Sequence, residues 1–209
     1  LAADPERIAA AVQQMLVSGP EMSAAAAGLC DGQGAARVVS AMSGVLRPVT
    51  EEDARTLFDW RNQERIRRVS LDPSPLAWEN HLAYTAKIAV QPAGGLWMIY
   101  SEDGEDLGHV NARRSEDGYW HWGFYIGAAK APRGAGRRML TAFLRRLLQE
   151  PGFAGVSAEV LDSNARSAVL HRALGFAEAG RSAQGALVFR ADRCNVAARF
   201  GAVEGDGQV

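Results

Sequence analysis

The sequence predicts an α+β fold in which a mixed central sheet is flanked by helices. Three observations carry this prediction. Runs with period-two alternation, bounded by polar turns, mark strands at 95–100, 107–113 and 119–127. Apolar residues three and four apart mark helices, most clearly Met139, Leu140, Phe143, Leu144, Leu147 and Leu148. Only one strand–helix–strand succession forms a clear βαβ crossover: strand 119–127, the arginine-rich helix after it, and strand 155–162.

Residues 1–44 are rich in alanine, glycine and serine and lack aromatics. Ile8, Val12, Met15 and Leu16 form one helical stripe before a Ser-Gly-Pro break, and shorter helical pieces follow. The segment reads as a helical extension with too few bulky residues for a core of its own. A first strand is expected at VLRPV, 45–49. Thr50 and Asp53 form a helix-cap signature, and Ala54, Leu57, Phe58 and Ile66 trace one helix carrying DWRN at 59–62. Ser74-Pro75 is expected to open a second helix with Trp78, Leu82 and Ala86 four apart. The turns SEDGED and SEDG then link three strands, and Gly175 stops a helix over 164–174. A hairpin at 176–193 and a tail at 194–209 end the chain.

With 209 residues the chain can bury one good core, and 47% hydrophobic with 22% charged residues is ordinary for a globular domain. A net charge of −1 argues against a generalised nucleic-acid binder. Cys30 and Cys194 offer neither a disulfide framework nor metal-ligand spacing, so no metal is expected. No apolar run reaches membrane-span length and Asp4, Glu6 and Arg7 disfavour a signal peptide, so a cytoplasmic location is expected, with no membrane or nucleic-acid partner. Leu1 in place of methionine is consistent with a piece of something longer.

The stretch KAPRGAGRRML, 130–140, is the first chemical signal. Gly134-Ala135-Gly136 follows a strand and opens a helix, where unpaired N–H groups and the positive helix end favour an anion. A nucleoside-triphosphate loop would need Gly-Lys-Ser/Thr, and a dinucleotide fingerprint would need glycine where Met139 stands. A plain loop-to-helix junction remains the alternative on this stretch alone.

RGAGRR, preceded by WGFYIG and followed by NARSAVLHRALGF, resembles the acetyl-CoA-binding core of the GNAT superfamily of N-acetyltransferases. The resemblance covers 45 to about 190, rests on Arg133, Gly136, Asn164, Ser167, Leu170, Gly175 and Phe176, and divides the chain at 1–44, 45–193 and 194–209. It implies a GNAT-type fold with splayed strands and acetyl-CoA as co-substrate. It further implies that Phe124, Tyr125, Ile126, Asn164 and Ser167 line the thioester and pantetheine. Lys130, Arg133, Gly134, Ala135, Gly136, Arg137 and Arg138 would meet the phosphates, with N–H groups from Ala135 to Arg138 on the pyrophosphate. Arg138 departs from the family's glycine or alanine, and His171 stands where its members keep a tyrosine that protonates the departing thiolate.

Asn164, Ser167 or Ala168, and His171 share one helical face, so a cationic His171 is a candidate acid and a packed histidine the alternative. His121 occupies a position where many members carry a glutamate, making it a candidate general base, with a water chain as the other option. Strand alternation places Tyr119, His121, Gly123 and Tyr125 opposite Trp120, Trp122, Phe124 and Ile126. If residue 111 lies across from 121, His109, Asn111 and Arg113 share the face of His121, and a one-residue slip would scatter them.

LRPVTEEDARTLFDWRN, ENHLAY, WGFYIG, GRRML and AEVLDSNARSAVLHRALGF together resemble the N-acetyltransferases of the pseudaminic acid pathway, which acetylate the 4-amino group of a UDP-linked 4-amino-4,6-dideoxy sugar. DGQGAARV, after two short helices, resembles the end of that pathway's sugar-nucleotide hydrolase and implies a fused upstream partner domain. Candidate acceptor contacts are Trp60, Arg61, Asn62, His81, Asn111 and Arg113. Trp60 or Trp78 would stack and Arg61 would answer phosphates, unless Trp60 is core and Arg61 pairs with Asp59 or Glu64. A ribosomal-protein-type N-terminal acetyltransferase and a silent acyl-CoA-binding domain are the alternatives, and a second copy of the chain is a further candidate partner.

Overall fold

The computed structural model describes residues 44–201; the expected helical extension and the hydrolase-like stretch lie outside the described residues, apart from Gly44. Strand β1 (Val45–Pro48) leads through a 3-10 turn (Glu51–Asp53) into helix α1 (Ala54–Arg61), a short α2 (Glu64–Arg67) and α3 (Trp78–Ala89). Three antiparallel strands follow: β2 (Gly95–Glu102), β3 (Glu105–Arg114) and β4 (Tyr119–Ile126). Then come α4 (Ala135–Leu147), β5 (Gly155–Val160), α5 (Ala165–Ala173), β6 (Ala177–Arg181), β7 (Leu187–Asp192) and α6 (Arg193–Phe200). The seven strands form one sheet in the order β1-β2-β3-β4-β5-β7-β6.

The two faces of the sheet build two cores, as the alternation requires. Met98, Tyr100, Val110, Ala112, Trp120 and Trp122 pack beneath α4 and α5. Within α4, Met139, Leu140, Phe143, Leu144 and Leu147 are fully buried, and each such side chain contributes about 1.5–3 kcal/mol. On the opposite face, Trp97 and Ile99 join Val49, Leu57, Trp60 and Ile88 under α1 and α3.

The crossover is parallel, as expected, and it is short. β4 pairs with β5 only from Tyr119↔Gly155 to His121↔Ser157, and the rest of β4 runs on without a partner on that edge among the described residues. Arg65 donates to the Ile126 carbonyl (3.0 Å), which places that residue's peptide groups on the open edge. Strand alternation puts those of Phe124 beside them.

Four expectations change. The first helix breaks after Arg61, because Asn62 turns its side chain to Leu76, accepting from its N–H (2.8 Å) and donating to its carbonyl (3.3 Å), while Gln63 is extended. The second helix begins at Trp78 rather than Ser74, and its buried stripe is His81, Thr85 and Ile88 while Leu82 faces out. Residue 111 lies across from Gly123 and Arg113 from His121, a two-residue offset that leaves the shared face intact. Residues 193–200, most of them read as tail, form helix α6, capped by Asp192 and anchored by the buried Val196.

Candidate active site

Where β4 and β5 part, a cleft of about 270 Å³ opens. His121, Gly123 and Tyr125 from β4, Asn111 from β3 and Glu159 from β5 line it, with Asn164, Ser167 and His171 at α5 and residues 69–72 completing its border. Asn164 caps α5 by accepting from the Ser167 N–H (3.1 Å), so a single residue both fixes the helix start and borders the cleft. His121 is exposed, with its Nδ1 3.3 Å from Ser157 Oγ. Gly123 keeps the space in front of Asn111 clear, since a Cβ there would sit 3.7 Å from the amide.

The glycine cradle lies beside this cleft, on the outer surface. Gly134 has φ +86°, a left-handed conformation that glycine adopts without a Cβ penalty. The N–H of Ala135 goes to the Pro132 carbonyl (3.1 Å) and that of Arg138 to Gly134 (3.1 Å). Among the described residues, the N–H groups of Gly136 and Arg137 have no backbone acceptor, so the donors left for an anion are fewer than the expected 135–138. At Gly136 a Cβ would make only ordinary contacts, 3.7 Å to Ile126 and 3.9 Å to Leu170. Nothing among the described residues therefore demands glycine there, and the missing Cβ leaves room for an approaching ligand. Lys130, Arg133 and Arg137 are exposed on this surface.

Arg138 is corrected as a phosphate contact. Its guanidinium makes two bonds to Glu102 (2.7 and 2.8 Å) and a third to the Arg133 carbonyl (3.1 Å). Tyr100 also donates to Glu102 (2.6 Å), and Arg138 above all holds that carboxyl below its ordinary range. In place of the usual small residue, Arg138 ties the cradle to the end of β2.

His171 is corrected as the acid. It is 1% exposed, stacked on Phe189 and edge-on to Phe176. Its Nδ1–H donates to the Ser167 carbonyl (2.8 Å), and its Nε2 accepts from the Trp122 indole N–H (3.1 Å). Protonation would set donor against donor, and burial already pushes the pKa down. His171→Phe is therefore expected to keep turnover within a few-fold while losing about 1–3 kcal/mol from the orphaned indole N–H, as read by urea denaturation beside steady-state rates. A turnover loss of a hundredfold or more in a stable variant would restore the acid role.

Three acceptor candidates change as well. Trp60 is a core residue, packed so closely under Gly127 that a Cβ there would overlap its ring. Asn62 is spent on Leu76, and Arg113 lies over the Trp97 ring (5.4 Å) outside both cavities of this region. Trp78, edge-on to Phe58, is likewise outside them. Arg61 and Asn111 stay at the site. Arg61 donates to the Asp72 carbonyl (2.6 Å) and leaves its buried Nη1 without a partner among the described residues, while Asp59 pairs with Arg55 and Glu64 with Arg68.

Behind Tyr125 lies a second cavity of about 340 Å³, bordered by Arg61, His81, Tyr84, His109, Asn111 and Tyr125 on a floor of Leu57, Leu76 and Ile88. His81 fills its Nε2 with the Ala54 carbonyl (3.0 Å). His109 is buried, and burial lowers its pKa to about 4. The unfolded chain takes up this proton below about pH 6.5 and the folded one only near 4, so the associated stability is full above 6.5 and drains away as pH falls between the two. His109 alone is expected to cost about 2 kcal/mol between pH 7.5 and 5 in urea denaturation, with His81 and His171 shifted in the same direction. Equal stability at both pH values would contradict this.

A model of the GNAT acetyltransferase domain matches residues 45–177. The chain belongs to the GNAT acetyltransferase family. As a member it is an acetyl-CoA-dependent N-acetyltransferase, and the parted strands β4 and β5 are the splay expected for this fold. Solved structures share the fold at low identity. The aminoglycoside acetyltransferase AAC(6')-Ib in complex with coenzyme A is 18% identical, covers 73% of this chain and 96% of its own, and gives a TM-score of 0.64. Spermidine N-acetyltransferase from Vibrio cholerae, with CoA and spermine, is 14% identical over 74% and 98% of the two chains, with a TM-score of 0.64. The ribosomal L7/L12 α-N-protein acetyltransferase RimL is 14% identical over 70% and 88%, with a TM-score of 0.61. Comparison with curated proteins finds no match. Among the described residues no helix is long and apolar enough to cross a membrane.

The sequence reading leaves Glu159 out and gives His109 no role of its own. The alternation in GVSAEV places Glu159 on the face of Ser157, the residue across from His121, and that signal would have found it.

Proposed function

We propose that this GNAT domain acetylates the 4-amino group of a UDP-linked 4-amino-4,6-dideoxy sugar in pseudaminic acid biosynthesis. The observation that carries the reading is Arg61, which lines both the cleft and the second cavity and whose buried Nη1 has no hydrogen-bond partner among the described residues. A guanidinium with a spare donor suits the phosphates of a nucleotide sugar and disfavours a polycation. The hydrolase-like stretch in 1–44 supports the same pathway.

Acetyl-CoA lies with its pyrophosphate on the N–H groups of Gly136 and Arg137, and its pantetheine arm runs along the open edge of β4 into the cleft. Glu159 draws in the acceptor ammonium, and His121 takes its proton directly or through a water. The amine nitrogen bonds to the thioester carbonyl carbon while the Phe124 N–H stabilises the developing oxyanion. The C–S bond then breaks, and the second proton leaving the nitrogen reaches the thiolate through a water held by Ser167, since His171 is committed elsewhere.

Thiol release from acetyl-CoA tests the reading, with mass spectrometry of the acceptor. Turnover with the UDP-4-amino sugar, and one acetyl group on it, is the expected result. Turnover with a peptide α-amine alone would replace it by the ribosomal-protein reading, and CoA binding without turnover by the silent-domain reading.

A further inference from the structure

The second cavity holds an unanswered polar group. His109 is 5% exposed, borders this space, and neither ring nitrogen has a hydrogen-bond partner among the described residues. Two of the other polar neighbours are engaged: His81 by the Ala54 carbonyl, and the Tyr84 hydroxyl by the Trp97 indole N–H (3.2 Å). A buried imidazole with both nitrogens orphaned is uncommon, because its hydration is lost with nothing in return. The space beside it is large enough for a small ligand group.

The charges around the cavity restrict that group. Among the described residues no aspartate or glutamate lines it, and the Arg61 guanidinium is the one charged group in its lining. A second ammonium there would be desolvated beside a cation, while Asp53, the carboxylate whose charge reaches His109, is already paired with Arg47. The floor of Leu57, Leu76 and Ile88 favours an alkyl edge. Arg61, Asn111 and Tyr125 border both spaces, so one acceptor can hold its reacting amine in the cleft and its far end in the cavity.

We propose that His109 is a specificity-determining residue for the acceptor. It hydrogen-bonds an uncharged hydroxyl or amide whose neighbouring methyl or methylene edge rests on Leu57, Leu76 and Ile88. The proposal rests on this region receiving the acceptor, and it goes beyond the amino-sugar reading by naming the contact and by excluding polyamines whatever the true acceptor.

The test uses the whole chain and thiol release with three acceptors: the UDP-4-amino-4,6-dideoxy sugar, an alanine-initiated tripeptide and spermidine. For the sugar or peptide that turns over, His109→Phe should raise the acceptor KM tenfold or more with the acetyl-CoA KM unchanged. His109→Gln, which keeps a donor and an acceptor, should recover part of the loss. In ¹⁵N-labelled wild type the His109 ring resonances should shift on adding that acceptor, an observation that stands even if a variant fails to fold. Sensitivity to His109 with the peptide as sole acceptor would uphold the proposal while ending the amino-sugar reading. Unchanged acceptor KM in both variants, unshifted ring resonances, or spermidine as the preferred acceptor would overturn it.

Discussion

His121→Ala should lower kcat by roughly 10²–10⁴-fold and leave the acetyl-CoA KM within about twofold, because general-base catalysis typically supplies that range. The expectation follows from position. His121 is exposed in the cleft at the last β4 residue paired to β5, beside the open strand edge. Its Nδ1 neighbour Ser157 leaves Nε2 for the acceptor. Glu159→Gln should instead act mainly on the acceptor KM, through loss of attraction for the ammonium. If Glu159→Gln lost kcat as steeply as expected for His121→Ala, and His121→Ala kept it, the two roles would be exchanged. Wild-type rates in both variants would leave water as the base.

Gly136→Asp should raise the acetyl-CoA KM at least about tenfold with little effect on the acceptor KM or on stability. The new Cβ meets only ordinary contacts with Ile126 and Leu170, so the fold has no reason to resist it. The carboxylate would occupy the approach to the two N–H groups left unpaired at the start of α4, replacing attraction for a phosphate with repulsion. Stopped-flow or steady-state titration of acetyl-CoA reads the effect. An unchanged KM would place the phosphates elsewhere. Gly134→Ala makes a useful contrast: at φ +86° it should cost about 1–2 kcal/mol of stability, whatever it does to binding.

These expectations draw unequally on the sequence. Faces were legible, because a period of two or 3.6 is local: alternation separated Trp120 and Trp122 from His121, and the α4 stripe named its own core. The offset of β3 against β4 was misjudged by two residues, and even this kept His109, Asn111 and Arg113 on the correct side. What could not be read was which side chains are already occupied. Arg138 looked like a phosphate ligand until Glu102, 36 residues away, took its Nε and Nη2, and the Arg133 carbonyl its Nη1. His171 looked like an acid until Trp122, 49 residues away, supplied the N–H that holds it neutral. Asn62 and Trp60 were drawn off in the same way, one by Leu76 and one by the core beneath Gly127. Residue type announces chemical capacity, whereas the partner across the fold decides whether that capacity is free.

The central claim is that the parted edge of β4 brings acetyl-CoA from the Gly136 cradle to His121, and a crystal structure with CoA tests it most directly. The account predicts the pyrophosphate within hydrogen-bond reach of the Gly136 and Arg137 N–H groups, the pantetheine amides paired with β4 near Phe124 and Ile126, and the sulfur in the cleft between His121 and Ser167. CoA bound away from the start of α4, or with its sulfur outside that cleft, would contradict it.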